Sequence, residues 1–289
     1  LVWSAPLVLA PPLFSRDGWS YAAQGMLAKA GLSPYENGPG VLTGPIVEAV
    51  DPRWMDTITP YGPIPVWIGS FGAELTGNPW LLVIGHRVVA LAGLVLLAWA
   101  VPRLACWAGL NPALSAAIVL ASPLMIANGV GGLHNDLLMV GLMAAALVVA
   151  VEHGWCAGAL LGGAAAAVKA PGGLVCIGIV LLSLPAAATL GDRVRRLVSV
   201  GTCSVGALVA LGVVSGLGLG WVRALGVPGT VNTPLSLPTL VGGALDRLTR
   251  LAGLDLPSAL FLDLVRLLAT AAALLLAGVV ALRWRTGST

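Results

Sequence analysis

The sequence predicts an all-α protein, a polytopic integral membrane helical bundle, on three observations. Only 9 % of its 289 residues are charged while 58 % are hydrophobic, the mean hydropathy is +0.95, and the apolar residues gather in long runs divided by turn signals. A soluble domain carries about a quarter charged residues, so 12 acids and 15 bases cannot cover a globule of this size, and the bilayer must solvate much of it. The net charge of +3 is small and dispersed, which excludes a nucleic-acid partner. Cys106, Cys156, Cys176 and Cys203 lie far apart without a CxxC pair, so neither a metal site nor a disulfide framework is expected.

The first apolar run, Leu1 to Phe14, is shorter than the roughly 20 residues a span needs. It reads as the outer end of a helix whose beginning precedes this chain. Residues 15–78 then form a structured loop rich in proline, glycine and tryptophan. Within it, Asp17 to Lys29 has an N-capping residue type and helical spacing of apolar groups, suited to a helix lying along the interface, and Ile64 to Leu75 reads similarly. Seven apolar segments follow at about 79–101, 112–130, 136–151, 155–170, 173–190, 197–219 and 260–282. Their joints carry turn chemistry, including Asn111-Pro112 and Ala170-Pro171-Gly172. The chain thus divides into an outer loop (15–78), a transmembrane bundle (79–219), a second loop (220–258) and a last span (260–282), all within one membrane-embedded domain.

Basic residues in short loops are retained in the cytoplasm. Arg103, the Arg193, Arg195 and Arg196 group, Arg283 and Arg285 place those loops inside. Alternation of the spans then puts the 15–78 loop, the 131–135 junction, Lys169 and the second long loop on the extracytoplasmic side. The expected location is the plasma membrane, with the site facing outward.

Ser15-Arg16-Asp17 follows an apolar segment, where a carboxylate is poised as a general base or simply begins a helix. Gly131-Gly132-Leu133-His134-Asn135-Asp136 begins an apolar helix with three hydrogen-bonding side chains in succession, and a cap needs only one. His134 and Asn135 can donate to a sugar or phosphate, and Asp136 can accept from hydroxyls. Lys169 stands between an alanine run and a helix break, where it either snorkels to headgroups or meets a lipid phosphate. Arg87 with His86 poses the same choice and leans towards structure. Tyr61-Gly62-Pro63 and Asn232-Thr233-Pro234 have turn chemistry and exposed hydroxyls, as loops or as site residues. Trp19 and Trp54 are either loop packing or platforms for sugar rings. This set suits transfer of a group from a lipid phosphate to a hydroxyl. Such a reaction needs a base for the acceptor and a cation for the departing phosphate, but no general acid.

The segments RDGWSYAAQG, GLSPYENGP, ITPYGPIPVWI, GGLHNDLLMVGL, AAAAVKAPGGL and VNTPLSLPT, in this order from about Arg16 to Pro238, resemble the polyprenyl-phosphomannose-dependent α-1,6-mannopyranosyltransferases of actinobacteria. The resemblance implies a GT-C type bundle with a structured first extracytoplasmic loop. It also implies a polyprenyl phosphomannose donor, a lipid-anchored mannan acceptor, contact with membrane lipid, inversion at the anomeric carbon and no cofactor. Members are longer, so this chain is expected to be part of a larger protein. By motif the resemblance carries over Asp17, expected as the catalytic base, the His134-Asn135-Asp136 run and Lys169; Arg16, Tyr61, Asn232 and Thr233 join them as expected substrate-binding residues on their own chemistry. The alternatives are another polyprenyl-phosphate-sugar transferase, such as an arabinofuranosyltransferase, a lipid-linked sugar transporter, or a membrane scaffold. No inverted repeat supports a transporter. Asp263 and Arg266 in the last span are spaced to pair.

Overall fold

The computed structural model describes residues 2–227 and 236–283, and among these every regular element is helical. The helices used below are α1 (Asp17–Lys29), α2 (Pro63–Leu75), α3 (Pro79–Trp107), α4 (Pro112–Leu120), α5 (Asp136–Glu152), α6 (Trp155–Val168), α7 (Val175–Leu182), α8 (Leu190–Val214), α9 (Leu237–Leu251) and α10 (Leu260–Arg283). Every apolar segment expected from the sequence contains a helix. α3, α8 and α10 are individually long and apolar enough to cross a membrane. α4 joins a π turn (Met125–Gly131) across a 56° bend, and together they form a fourth candidate span.

Several boundaries differ from the sequence expectation, each for a local reason. Val2–Leu7 is a 3-10 helix with Pro6 inside it, and Pro11 and Pro12 follow, so this segment does not continue as an α-helix. The 112–130 segment bends at Ser122-Pro123, where proline withholds an N–H. The segment expected to run to 190 ends at Leu182, before Pro185. α8 starts at Leu190, ahead of its apolar run, because Thr189 and Asp192 form a reciprocal capping box. Arg193, Arg195 and Arg196 therefore ride on a helix, with Arg196 lying 4.8 Å over the Trp155 ring. Within the second loop, α9 packs on α10 through its Gly242 and Asp246 face, while Leu237, Leu240, Val241, Leu245, Leu248 and Leu251 stay exposed on the other face.

α3, α5, α6 and α8 pack in that order as a row. Small residues allow the close approach: a Cβ on Gly141 would lie 2.5 Å from the Gly93 carbonyl oxygen. The largest core cluster joins Ala22 and Ala23 of α1, Ala73 of α2, Leu82, Val83 and Ala90 of α3, and Leu133 and Leu137. α1 does not lie on the surface. Gly18, Ser20–Gly25 and Leu27 are buried against α2 and α3, because alanine and glycine on most of its faces leave no bulk to keep it outside. This burial carries Asp17, at the first position of α1, to the edge of the bundle core.

Candidate active site

Two helix starts and one helix break converge here. Asp17 opens α1 and Asp136 opens α5, yet neither carboxylate caps its helix. The Asp17 N–H instead bonds the Ser15 hydroxyl at 2.9 Å, and Asn135, at the N-cap position of α5, makes no side-chain capping bond. Side chains released from capping are available for chemistry. The His134 Nδ1 lies 3.3 Å from the Asp17 Oδ2, joining positions distant in sequence.

α6 stops at Val168 because Pro171 cannot continue it, which leaves Lys169 extended (φ −157°, ψ 137°). Its ammonium donates to both carboxylate oxygens of Asp136, at 2.8 and 3.1 Å. It also sits 5.5 Å from the Tyr61 ring centroid, a cation–π distance. The lysine thus turns towards the site instead of extending outward.

Tyr61 is brought there by the backbone. The Gly62 N–H donates to the Val168 carbonyl at 3.0 Å, and a Cβ on Gly62 would lie 2.2 Å from the Ala167 oxygen, so only glycine fits this contact. Thr59 fixes the approach, its hydroxyl donating to Gln24 Oε1 at 2.9 Å and its N–H to the Pro34 carbonyl. The expected exposed hydroxyl of Tyr61 is instead buried and lies 3.0 Å from the Tyr21 hydroxyl, with the two rings edge-to-face. Aromatic bulk in a loop packed by α6 is drawn inward rather than into water.

The electrostatics follow from this arrangement. Burial pushes the Asp17 carboxyl up, but hydrogen bonding and charge from His134, with hydrogen bonds from Ser15 and Trp54, outweigh it and hold the group below its ordinary value. Burial first, then Tyr61 and the negative charge of Asp17, push the Tyr21 phenol well up, so it stays neutral and can share its proton with Tyr61.

Two of the cavities beside the cluster reach its carboxylates. Asp17, Ser20, Tyr21, Gln24, Trp54 and Tyr61 line a small one of about 60 Å³. On the other side of His134, a groove of about 510 Å³ runs between the bent α4–π segment and α5. Ile118, Val119, Leu124, Met125, Leu137 and Val140 give it apolar walls, and His134 and Asp136 stand in its lining.

Asp17, His134, Asp136, Lys169 and Tyr61 are therefore gathered into one cluster. Asn135 is buried between two of them, and its Nδ2 has no hydrogen-bond partner among the described residues. Arg16 is exposed and makes no ion pair with the others. Asn232 and Thr233 lie outside the described residues. Sequence reasoning missed Tyr21, Gln24 and Thr59, although Tyr21 falls one helical turn after Asp17 and so on the same face. Trp19 packs 6.1 Å from Trp80, whereas Trp54 reaches the site through Asp17.

The family model described as "Alpha-(1->6)-mannopyranosyltransferase, N-terminal domain" matches residues 1–186. "Alpha-(1->6)-mannopyranosyltransferase A" of Mycobacterium tuberculosis is 35 % identical over 263 residues, covering 86 % of this chain and 50 % of that protein. The protein of the same name in Corynebacterium glutamicum is 33 % identical over 257 residues, covering 83 % and 52 % respectively. A "Probable alpha-(1->6)-mannopyranosyltransferase" of Mycolicibacterium smegmatis is 33 % identical over 302 residues, covering 92 % and 54 %. The chain spans about half the length of these curated relatives. No solved structure matches it. With its helical membrane architecture, and with a family-model match that covers both halves of the Asp17–His134 contact and the Asp136–Lys169 pair, the chain belongs to the alpha-(1->6)-mannopyranosyltransferase family.

Proposed function

We propose that the chain carries the transfer site of a membrane α-1,6-mannosyltransferase. The site moves mannose from a polyprenyl phosphomannose donor to a hydroxyl of a growing, lipid-anchored α-1,6-mannan. It works on the extracytoplasmic face of the plasma membrane, with inversion. The observation that carries this reading is the convergence of the Asp17–His134 contact and the Asp136–Lys169 pair beside an apolar groove. A carboxylate, a half-exposed cation and an apolar wall are what an amphiphilic phosphodiester and a neutral hydroxyl together require.

In this reading the acceptor oxygen attacks the anomeric carbon from the face opposite the phosphate. Its proton passes to Asp17. The anomeric carbon–oxygen bond breaks with its electron pair going to the phosphate, which departs as an anion beside Lys169 without needing a proton. Asp17 is the base rather than Asp136 because both Asp136 oxygens are engaged by Lys169. His134 orients the Asp17 carboxylate, Asn135 and Tyr61 shape the sugar site, and the polyprenyl chain runs along the groove of Ile118, Leu124 and Val140.

The test uses membranes of a mannan-deficient host expressing the full-length protein, supplied with labelled mannosyl phosphoryl polyprenol and an α-mannoside. Asp17→Asn keeps shape and hydrogen bonding but not basicity, so turnover should fall about a hundred- to ten-thousand-fold with donor binding retained. Near-normal transfer by this variant would move the base to another residue. Transfer of arabinofuranose from its own lipid phosphate in place of mannose would change the donor, and no transfer by the unaltered protein would revive the transport reading. Labelling of a cysteine at Gly38 only after exposure of the inner face would overturn the outward orientation.

A further inference from the structure

Arg87 lies in α3, and at 0 % exposure it is the largest fully buried side chain among the described residues. Among the described residues no carboxylate pairs with it. A buried guanidinium without a counter-ion is costly unless its donors are satisfied. Here backbone carbonyls accept from both Nη groups, while the buried Nε–H has no partner among the described residues. Nη1 donates to Val8 at 3.0 Å and to Ala10, while Nη2 donates to Gly131 at 3.3 Å. The Gly131 carbonyl also accepts the Leu13 N–H at 2.9 Å, closing a ring of bonds around the cation.

The two limbs held in this way each lead to a site residue. Residues 8–14 run directly into Ser15 and Asp17, and Gly131 ends the π turn three residues before His134. Each limb also contains a non-glycine residue in the left-handed region, Phe14 at φ 64° and Leu133 at φ 59°. Such conformations cost free energy and persist where the surroundings over-determine them.

We infer that Arg87 is a positioning residue of the active site, clasping the 8–14 limb to the Gly131 turn so that Asp17 and His134 meet. It touches no reacting atom and acts through those two residues. Arginine suits this clasp because its planar fork reaches carbonyls on two separate limbs from one centre, whereas the ammonium of lysine is more compact and lacks the fixed fork that spans both. The inference rests on the reading that Asp17 and His134 work in one transfer site.

Arg87→Lys and Leu13→Pro should be compared with the unaltered full-length protein in membranes, with kcat, donor KM and the pH dependence of kcat recorded. Leu13→Pro removes the N–H that bonds Gly131 and leaves α3 untouched. For Arg87→Lys, kcat should fall about 10- to 100-fold, as misplacement of catalytic groups by about 1 Å does, with donor KM nearly unchanged. The acid limb of the kcat profile should move to higher pH, because Asp17 parted from His134 loses the contact that lowers it. Leu13→Pro should shift both quantities in the same directions. A normal kcat in Arg87→Lys overturns the inference, as does a loss of rate with the acid limb unmoved, which marks a purely structural role. Should Arg87→Lys fail to accumulate, an unmoved acid limb in Leu13→Pro overturns it. Asp17→Asn run in parallel separates the two levels: retained transfer there removes the site reading itself, whatever Arg87 does.

Discussion

Replacing Lys169 by glutamine separates a binding cation from one that merely holds α5. The ammonium–carboxylate contact at 2.8 Å corresponds to a gross attraction of about 6 kcal/mol at an effective dielectric of about 20. With the lysine and aspartate side chains 28 % and 41 % exposed, solvent screening and desolvation reduce the net contribution to stability to about 1 kcal/mol or less. The fold should therefore survive Lys169→Gln. The effect on the reaction is larger, since a charge-assisted hydrogen bond to phosphate contributes about 1.5–3 kcal/mol. That predicts a fall in kcat/KM for the donor of about 10- to 150-fold, with acceptor KM little changed. If Asp136 serves chiefly to hold the ammonium, Lys169→Gln combined with Asp136→Asn should cost no more than Lys169→Gln alone. Initial rates with labelled donor, varied at fixed acceptor and then the reverse, measure all three proteins. Donor kcat/KM within about twofold of the unaltered protein, or an equal change in acceptor KM, would refute the phosphate role.

Asp17 is held below its ordinary value near 3.8, so the base role proposed for it is lost only as pH falls through that lowered pKa. His134→Ala removes the largest lowering influence and leaves burial to act, so the acid limb of kcat should rise, as a pH–rate profile would show. Val140→Trp fills the groove beside Asp136 and should raise KM for a long-chain donor while leaving a short-chain donor nearly unaffected, measured as paired KM values. Gly62→Val forces carbon into the Ala167 carbonyl and displaces Tyr61 from Lys169. Both thermal stability in detergent and kcat should fall, whereas Gly77→Ala, with open space at its Cβ position, should change neither.

Of the seven expected spans, α3, α8 and α10 were legible as crossing helices because twenty-odd apolar residues have few other destinations, whereas α5, α6 and α7 are shorter, at 17, 14 and 8 residues. The break at Lys169 was legible because Pro171 cannot continue α6 and instead stands in the first turn of a new 3-10 helix, Ala170–Leu174. The capping box at Thr189 and Asp192 was also present in the sequence, although apolarity alone placed that helix start seven residues too late. α9 was written in its spacing from Leu237 to Leu251 and hidden by the prolines and polar residues before it. Most members of the cluster could be named from the sequence, but not which of them pair. The Gly62 to Val168 and Thr59 to Gln24 bonds join elements far apart in the chain, and no local pattern encodes such contacts. Arg87 read as structural, which its burial supports, but its three carbonyl partners could be seen only with the 8–14 limb folded back onto the π turn.

The π turn at Met125–Gly131 makes the site depend on how many residues precede it as well as on which they are. A π turn accommodates one residue more than an α turn, and each helical residue advances the direction of its neighbours by about 100°. Deleting a single residue such as Ala127 would let the segment relax to ordinary helix without removing any site side chain. His134 would then be carried round, away from Asp17, and the Gly131 carbonyl out of reach of Arg87. In evolutionary terms, the Asp17–His134 pairing is exposed to insertions and deletions more than to substitutions across these seven residues. Length should be the constrained property of this turn, while its apolar side chains remain free to exchange.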